Sequence, residues 1–338
     1  MIGREKPEAT AVGFDRPLLL TARQDLVGYA GGLTGRAVLF SIAASSVLAV
    51  LLIFAFIIRE AVPFLLRGND AAAGLSLANL PTRLGELFGS DQWHPEASVA
   101  PEFGTLAILA GSLYVTVTAL AVGVPVGLLT AVCLSDVVPF SVRQAVKPVV
   151  ELLAAIPSVA YGFFAVLVLA PLIQKHLDVP TGTNVLNAGL ILAVMAIPTI
   201  VSISEDALSA VGRDLREASY ACGATRAETL LRVVIPAAHN GIIAAVLLGM
   251  MRAIGETMVV WMASGMAAQV PAPWWDLAQS VRTMTGTIAQ EMGETVVGSP
   301  HYHALFVLGL VLLVFTFSLN LATETLLGRM RRQGGKKP

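Results

Sequence analysis

The chain has 338 residues, 55% of them hydrophobic and 13% charged, with a mean hydropathy of +0.74. Soluble domains carry about 25% charged residues, so the deficit excludes a disordered chain and disfavours a water-soluble enzyme. With 22 Lys and Arg against 23 Asp and Glu, the formal net charge of −1 leaves no global basic field for nucleic acid.

A helix crossing a bilayer needs about 20 apolar residues. In chain order six runs qualify: 37–58, 103–135, 149–174, 179–204, 237–266 and 304–323. The second is longer than one span and carries Pro125, the third contains Pro157, the fourth Pro198, and the fifth is interrupted by Arg252 and Glu256. The expected fold class is therefore an all-α membrane protein of six transmembrane helices. An even number of spans places both termini on one side, and the positive-inside rule selects it. Sixteen of the 22 Lys and Arg fall in the two tails and in the loops holding Arg143, Lys147, Arg213, Arg216, Arg226 and Arg232. Only Arg59, Arg67, Arg83, Lys175 and Arg282 fall on the other side, so both termini are expected in the cytoplasm. The first run begins too late and runs too long for a secretory signal, and reads as a retained anchor. The outer segments 59–102 and 267–303 read as interfacial loops, with Trp93 at the headgroups, or as docking surfaces for an external partner.

The loop between spans four and five carries the most local information. Asp214-x-x-Glu217 has the form of a helix N-cap with an acid three residues on, Gly223 can supply a left-handed stop, and Thr225-x-x-Glu228 is a capping box that restarts a helix. The pattern spells a short helix, a glycine break and a second helix entering span five at Pro236. In span five, Arg252 and Glu256 stand i, i+4, so one helix face would carry both and let them neutralise each other. A charge at the bilayer centre costs about 2.5–3.5 kcal/mol on insertion scales, so this face must meet protein or water. Two roles fit: a bridge locking two spans, or an element lining or gating a translocation path.

These residues carry a resemblance. Glu217-Ala218-Ser219, Gly223 and Val233-Val234-Ile235-Pro236 resemble, at matching spacing, the EAA loop of binding-protein-dependent ABC importer permeases. Arg252-Ala253-Ile254-Gly255-Glu256-Thr257-Met258 is similar to the R-A-x-G-E-T-M stretch of phosphate permeases of the PstC type. Ile156-Pro157-Ser158-Val159-Ala160-Tyr161-Gly162, Ile197 to Ser204, and Trp93-x-Pro95 ahead of Phe103-Gly104 look like further stretches of the same family. The resemblance spans roughly residues 37 to 327 and implies the type I ABC importer permease fold in a bacterial inner membrane. Glu217, Ala218, Gly223 and Pro236 would couple to an ATPase, and Arg252 and Glu256 would line the path or gate it. The domain plan that follows is a cytoplasmic tail (1–36), a permease domain (37–327) with its coupling loop at about 205–236, and a basic tail (328–338).

The implied partners are a PstA-like permease, two PstB-like ATPase subunits and a PstS-like binding protein. No cofactor is expected on this chain, because the only Gly-Gly-Lys, Gly334 to Lys336, lacks the P-loop pattern. ATP and magnesium would belong to the ATPase. Arg can offer a fork of donors to phosphate oxygens, and a carboxylate can accept the proton that phosphate carries and sulfate lacks. Ser158, Tyr161, Thr199 and Ser202 are candidate hydroxyl donors to an anion, or else interhelical hydrogen bonds. Permeation of another oxyanion such as sulfate or molybdate, a proton-coupled carrier using Arg252 and Glu256 as a relay, and a membrane-embedded hydrolase are the rival readings. His301-x-His303 lacks a third metal ligand nearby, Cys133 and Cys222 form no disulfide framework or C-x-x-C motif, and Gly123-x-x-x-Gly127 is a helix-packing signal.

Overall fold

A computed structural model describes residues 22–66, 76–97 and 101–334. These form helices α1 (Ala22–Leu66), α2 (Leu80–Gly89), α3 (Leu106–Val132), α4 (Phe140–Ala154), α5 (Ser158–Phe164), α6 (Ala170–Leu177), α7 (Val185–Ser209), α8 (Arg213–Ala221), α9 (Arg226–Thr229), α10 (Ile235–Ile254), α11 (Met258–Ala263), α12 (Met284–Glu291) and α13 (Pro300–Gly334). A two-residue antiparallel pair, β1 (Trp93–His94) with β2 (Glu102–Phe103), precedes α3. Six helical stretches are long and apolar enough to cross a membrane: Thr34–Leu66, Leu106–Val137, Ser158–Leu177, Val185–Ser209, Arg226–Ile254 and Pro300–Thr325.

The chain divides into two compact units, residues 1–56 and 57–338. In the first, α1 starts at Ala22, so the expected tail of 1–36 is helical over its last fifteen residues, and residues 1–21 lie outside the described part. Its side chains Leu39, Phe40, Leu48 and Leu52 are exposed, which suits a helix solvated by lipid. The second unit holds everything discussed below. At its end α13 continues to Gly334, so much of the expected basic tail is helix, with residues 335–338 outside the described part.

Prolines place the helix breaks. The third hydrophobic run does not form one helix. Pro157 has no N–H and disfavours α geometry at Ile156, so α4 stops at Ala154 and α5 begins at Ser158. Three π-helical turns, Cys133–Val137, Ala165–Leu169 and Leu230–Val234, are each followed two residues later by a proline: Pro139, Pro171 and Pro236. A widened turn relieves the clash between a proline ring and the carbonyl of the preceding turn. Two of these turns therefore let a span continue through its proline, as α5 to α6 and α9 to α10.

The centre of the unit is α7, the most buried span. It packs against α3 through Gly123 and Gly127: a Cβ on Gly123 would sit 3.5 Å from the Ala193 backbone, and one on Gly127 would sit 2.8 Å from Ile200 Cγ2. On its other side a Cβ on Gly249 of α10 would meet Ile200 Cγ1 at 2.7 Å. Ile200, fully buried, is thus wedged between two glycines of different helices. Small residues substitute for a hydrophobic driving force here, because lipid is as apolar as the helix and only close packing favours association. At the start of α7, the Asn184 side chain accepts from the Asn187 backbone N–H at 2.9 Å. The Asn187 amide in turn donates to the carbonyls of Ala165 and Gly182, the first of them in the π-helical turn.

Candidate functional site

The loop between α7 and α10 forms the expected helix–glycine–helix. Helix α8 ends in a Schellman arrangement: Gly223, at φ +84°, donates to the Tyr220 carbonyl at 2.9 Å, and Ala224 donates to Ser219 at 3.2 Å. Nothing lies within 4 Å of a Cβ built on Gly223, so the glycine serves its positive φ rather than a close approach. Thr225 and Glu228 make both halves of the capping box. The first cap differs from expectation. Gly212 occupies the N-cap of α8, and Asp214 sits inside the first turn, where it complements the helix dipole.

The two helices are fixed to each other and to the bundle. Ser219 Oγ lies 2.9 Å from Thr229 Oγ1, so the serine that replaces the third residue of the Glu-Ala-Ala pattern has a partner of its own. Arg216 pairs with Asp136 in the turn closing α3 and donates to the Leu208 carbonyl of α7 at 3.0 Å. Glu217 and Ala218 are exposed and, among the described residues, Glu217 makes no hydrogen bond or ion pair, leaving its carboxylate available to another surface. Leu215 and Tyr220 are exposed beside them. An open cleft of about 330 Å³ lies alongside, lined by Ser219, Cys222, Gly223, Ala224, Glu228, Arg232 and Val233. Pro236 stands apart, exposed at the first turn of α10 after the π-helical turn.

Span five corrects the sequence reading. Helix α10 ends at Ile254 with Gly255 as its C-cap, and α11 restarts at Met258, so Arg252 and Glu256 do not share a continuous helix face. No ion pair joins them among the described residues. The signal was present: glycine followed two residues later by Thr257 is a C-cap and then an N-cap residue. Arg252 is exposed near the end of α10. Glu256 is half-buried and, with Ser112, Thr116, Thr283, Thr285 and the apolar Val115, Ala253, Ile254 and Val260, lines a small cleft of about 10 Å³; its carbonyl accepts from Thr285 Oγ1 at 2.9 Å. Of the four candidate hydroxyls, Tyr161 donates to the Leu153 carbonyl at 2.8 Å across the α4–α5 break, and Ser202 points at Glu151 at 3.5 Å. Ser158 and Thr199 are half-buried, and no described hydrogen bond of their side chains occupies them.

Two charge clusters have no counterpart in the sequence reading. Glu205, 1% exposed near the end of α7, receives Arg143 and Lys147 from α4. Lys147 Nζ lies 2.6 Å from Glu205 and 2.6 Å from Asp206, and Ser209 Oγ donates to Glu205 at 2.9 Å. The spacing of Arg143, Lys147 and Glu151 along one helical stripe was the available signal. In the second cluster Glu291 of α12 accepts from Trp93 Nε1 at 3.0 Å, pairs with Arg282 at 2.5 Å and lies 2.8 Å from His301 Nε2. Trp93, expected at the headgroups, is 3% exposed and edge-on to Phe103. His303 Nδ1 lies 2.8 Å from the Glu60 carbonyl, so each histidine of the His-x-His pair has a protein neighbour. Among the described residues no three His, Cys, Asp or Glu side chains group closely enough to hold a metal ion.

Six helices long and apolar enough to cross a membrane, with an exposed, capped helix pair between the fourth and fifth, define a polytopic membrane protein. Residues 123–332 match the family described as binding-protein-dependent transport system inner membrane component, and the chain belongs to that family. It is a multi-pass inner-membrane protein. It is similar to the probable ABC transporter permease protein YqgH of Bacillus subtilis, at 39% identity over 73% of this chain and 78% of that one. It is also similar to the phosphate transport system permease protein PstC of Mesorhizobium japonicum, at 34% identity over 73% of this chain and 79% of that one. Its fold resembles a solved bacterial ABC transporter involved in the import of the acidic polysaccharide alginate, with a TM-score of 0.57, 14% identity, and coverage of 89% of this chain and 98% of that one.

Proposed function

We propose that this chain is a permease subunit of an ATP-driven importer that carries inorganic phosphate into the cell. The observation that carries the reading is its likeness, over most of its length, to permeases named for phosphate transport. The exposed Glu217–Ala218 face with its glycine-terminated helix suits docking to an ATPase subunit that supplies ATP hydrolysis and binds the magnesium. Arg252 supports a path role, since a guanidinium with no ion pair among the described residues, in a membrane-crossing helix, costs less facing water or a second permease than lipid. Arg252 would bind phosphate oxygens, while Glu256, in its hydroxyl-lined cleft, would accept the phosphate proton and so disfavour sulfate. Ser158 and Thr199 remain candidate donors along the way. The distribution of Lys and Arg supports both termini and the 205–236 loop in the cytoplasm. The full assembly would add a PstA-like permease, two PstB-like ATPases and a PstS-like binding protein on the outer face.

The test is uptake into proteoliposomes holding the complete assembly. Phosphate accumulation that requires ATP on the ATPase side, and resists excess sulfate and molybdate, is the expected result. Preferential uptake of another oxyanion would reassign the substrate. Uptake driven by a proton gradient without the ATPase would refute the importer reading.

A further inference from the structure

Polar contacts recur at about one-turn intervals along α7 and α4 between the α8 helix and the span-three elbow, with Glu205 at their centre. Arg216 of α8 grips the Leu208 carbonyl, one turn beyond Glu205 on α7. Glu205 holds Arg143 and Lys147 of α4, with Ser209 and Asp206 completing the cluster. One and two turns along α7 and α4 from there, Ser202 faces Glu151. Helix α4 then ends at the break where Tyr161 of α5 holds the Leu153 carbonyl.

The chemistry of the joint is unusual for a mere seam. Helix α4 turns its charged stripe, Arg143, Lys147 and Glu151, toward α7 and leaves Val142, Val149 and Leu152 exposed. Burying a carboxylate costs several kcal/mol that ion pairs only offset, and apolar packing of similar volume holds helices at least as well. What ion pairs add is a defined register that can be exchanged for another. We propose that Glu205 is a positioning residue for transport: it fixes α4, and through it the α4–α5 elbow, to the end of the bundle that moves with the docking helix. This rests on the importer reading above and is carried by the buried Glu205 cluster and the succession of contacts along α7 and α4.

The experiment uses the reconstituted complex and measures phosphate imported per ATP hydrolysed, along with ATPase activity in the absence of binding protein, both normalised to assembled complex. Three variants are compared with the wild type: Glu205→Gln, the apolar triple Arg143→Met/Lys147→Met/Glu205→Met, and Lys147→Met, whose site is partly exposed. Glu205→Gln is expected to hydrolyse ATP yet lose about tenfold or more in phosphate per ATP, a typical size for a coupling between sites. The triple variant is expected to regain assembly but not the ratio, and Lys147→Met to fall between. A purely structural joint would lower assembly and leave the ratio unchanged. A ratio within about twofold of wild type in the assembled Glu205→Gln or triple variant overturns the proposal, as does failure of all three to assemble. Absence of ATP-dependent phosphate uptake by the wild type would instead overturn the importer reading itself.

Discussion

Substitution of Gly223 separates backbone geometry from surface clearance. The residue sits at φ +84°, its N–H and that of Ala224 satisfy the last carbonyls of α8, and no atom lies within 4 Å of a Cβ built there. The cost of a side chain is then conformational alone, about 1–2 kcal/mol for an L-residue in the left-handed region. Asn pays less than Ala, because it tolerates that region. Pro is excluded, because its ring fixes φ near about −65°. At about 1.4 kcal/mol per factor of ten, Gly223→Ala should populate the native helix end about fivefold to thirtyfold less, while the buried bundle is untouched and the protein still reaches the membrane. Binding-protein-stimulated ATPase activity and phosphate uptake in the reconstituted complex should therefore rank Gly, Asn, Ala, Pro, from highest to lowest. A ranking by side-chain size, with Asn below Ala, would refute the conformational argument and place a tightly fitting partner surface over Gly223 instead.

Other perturbations follow from the same geometry. Because Arg252 and Glu256 stand on either side of a helix break, Arg252→Met and Glu256→Met should impair phosphate uptake independently; recovery in the double variant, measured per assembled complex, would mean that they neutralise each other after all. Gly249→Ala should overpack Ile200 and destabilise the bundle by about 1–3 kcal/mol, and Ile200→Ala on that background should recover part of the loss. Strictly additive shifts in thermal inactivation temperature would show that the wedge is not rigid. A cysteine at Ala227, in a background lacking Cys133 and Cys222, should react with an impermeant maleimide only after permeabilisation; labelling of intact cells would reverse the assigned orientation.

Local chemistry was written plainly in the chain. Six apolar runs announce six spans because lipid demands continuous hydrophobic length. The helix–glycine–helix between spans four and five was legible because caps act within a few residues: the Thr225–Glu228 box and the positive φ of Gly223 both follow from residues adjacent in sequence. Where a local signal was read for its type but not its position, the bounds moved: Asp214 gave way to Gly212 as cap, and the glycine between Arg252 and Glu256 ended a helix that hydrophobicity alone carried through. As the sequence pattern implied, Pro171 and Pro236 did not end their spans, and the structure adds the π-helical turns by which the helices continue through them. What only the tertiary structure decided were partnerships between distant residues. Glu205 with Arg143 and Lys147, and Ile200 between Gly127 and Gly249, join helices far apart in the chain, and Glu291 ties its near neighbours Arg282 and His301 to the distant Trp93. Hydropathy registers each of these charges as a cost, and packing alone determines which opposite charge meets it.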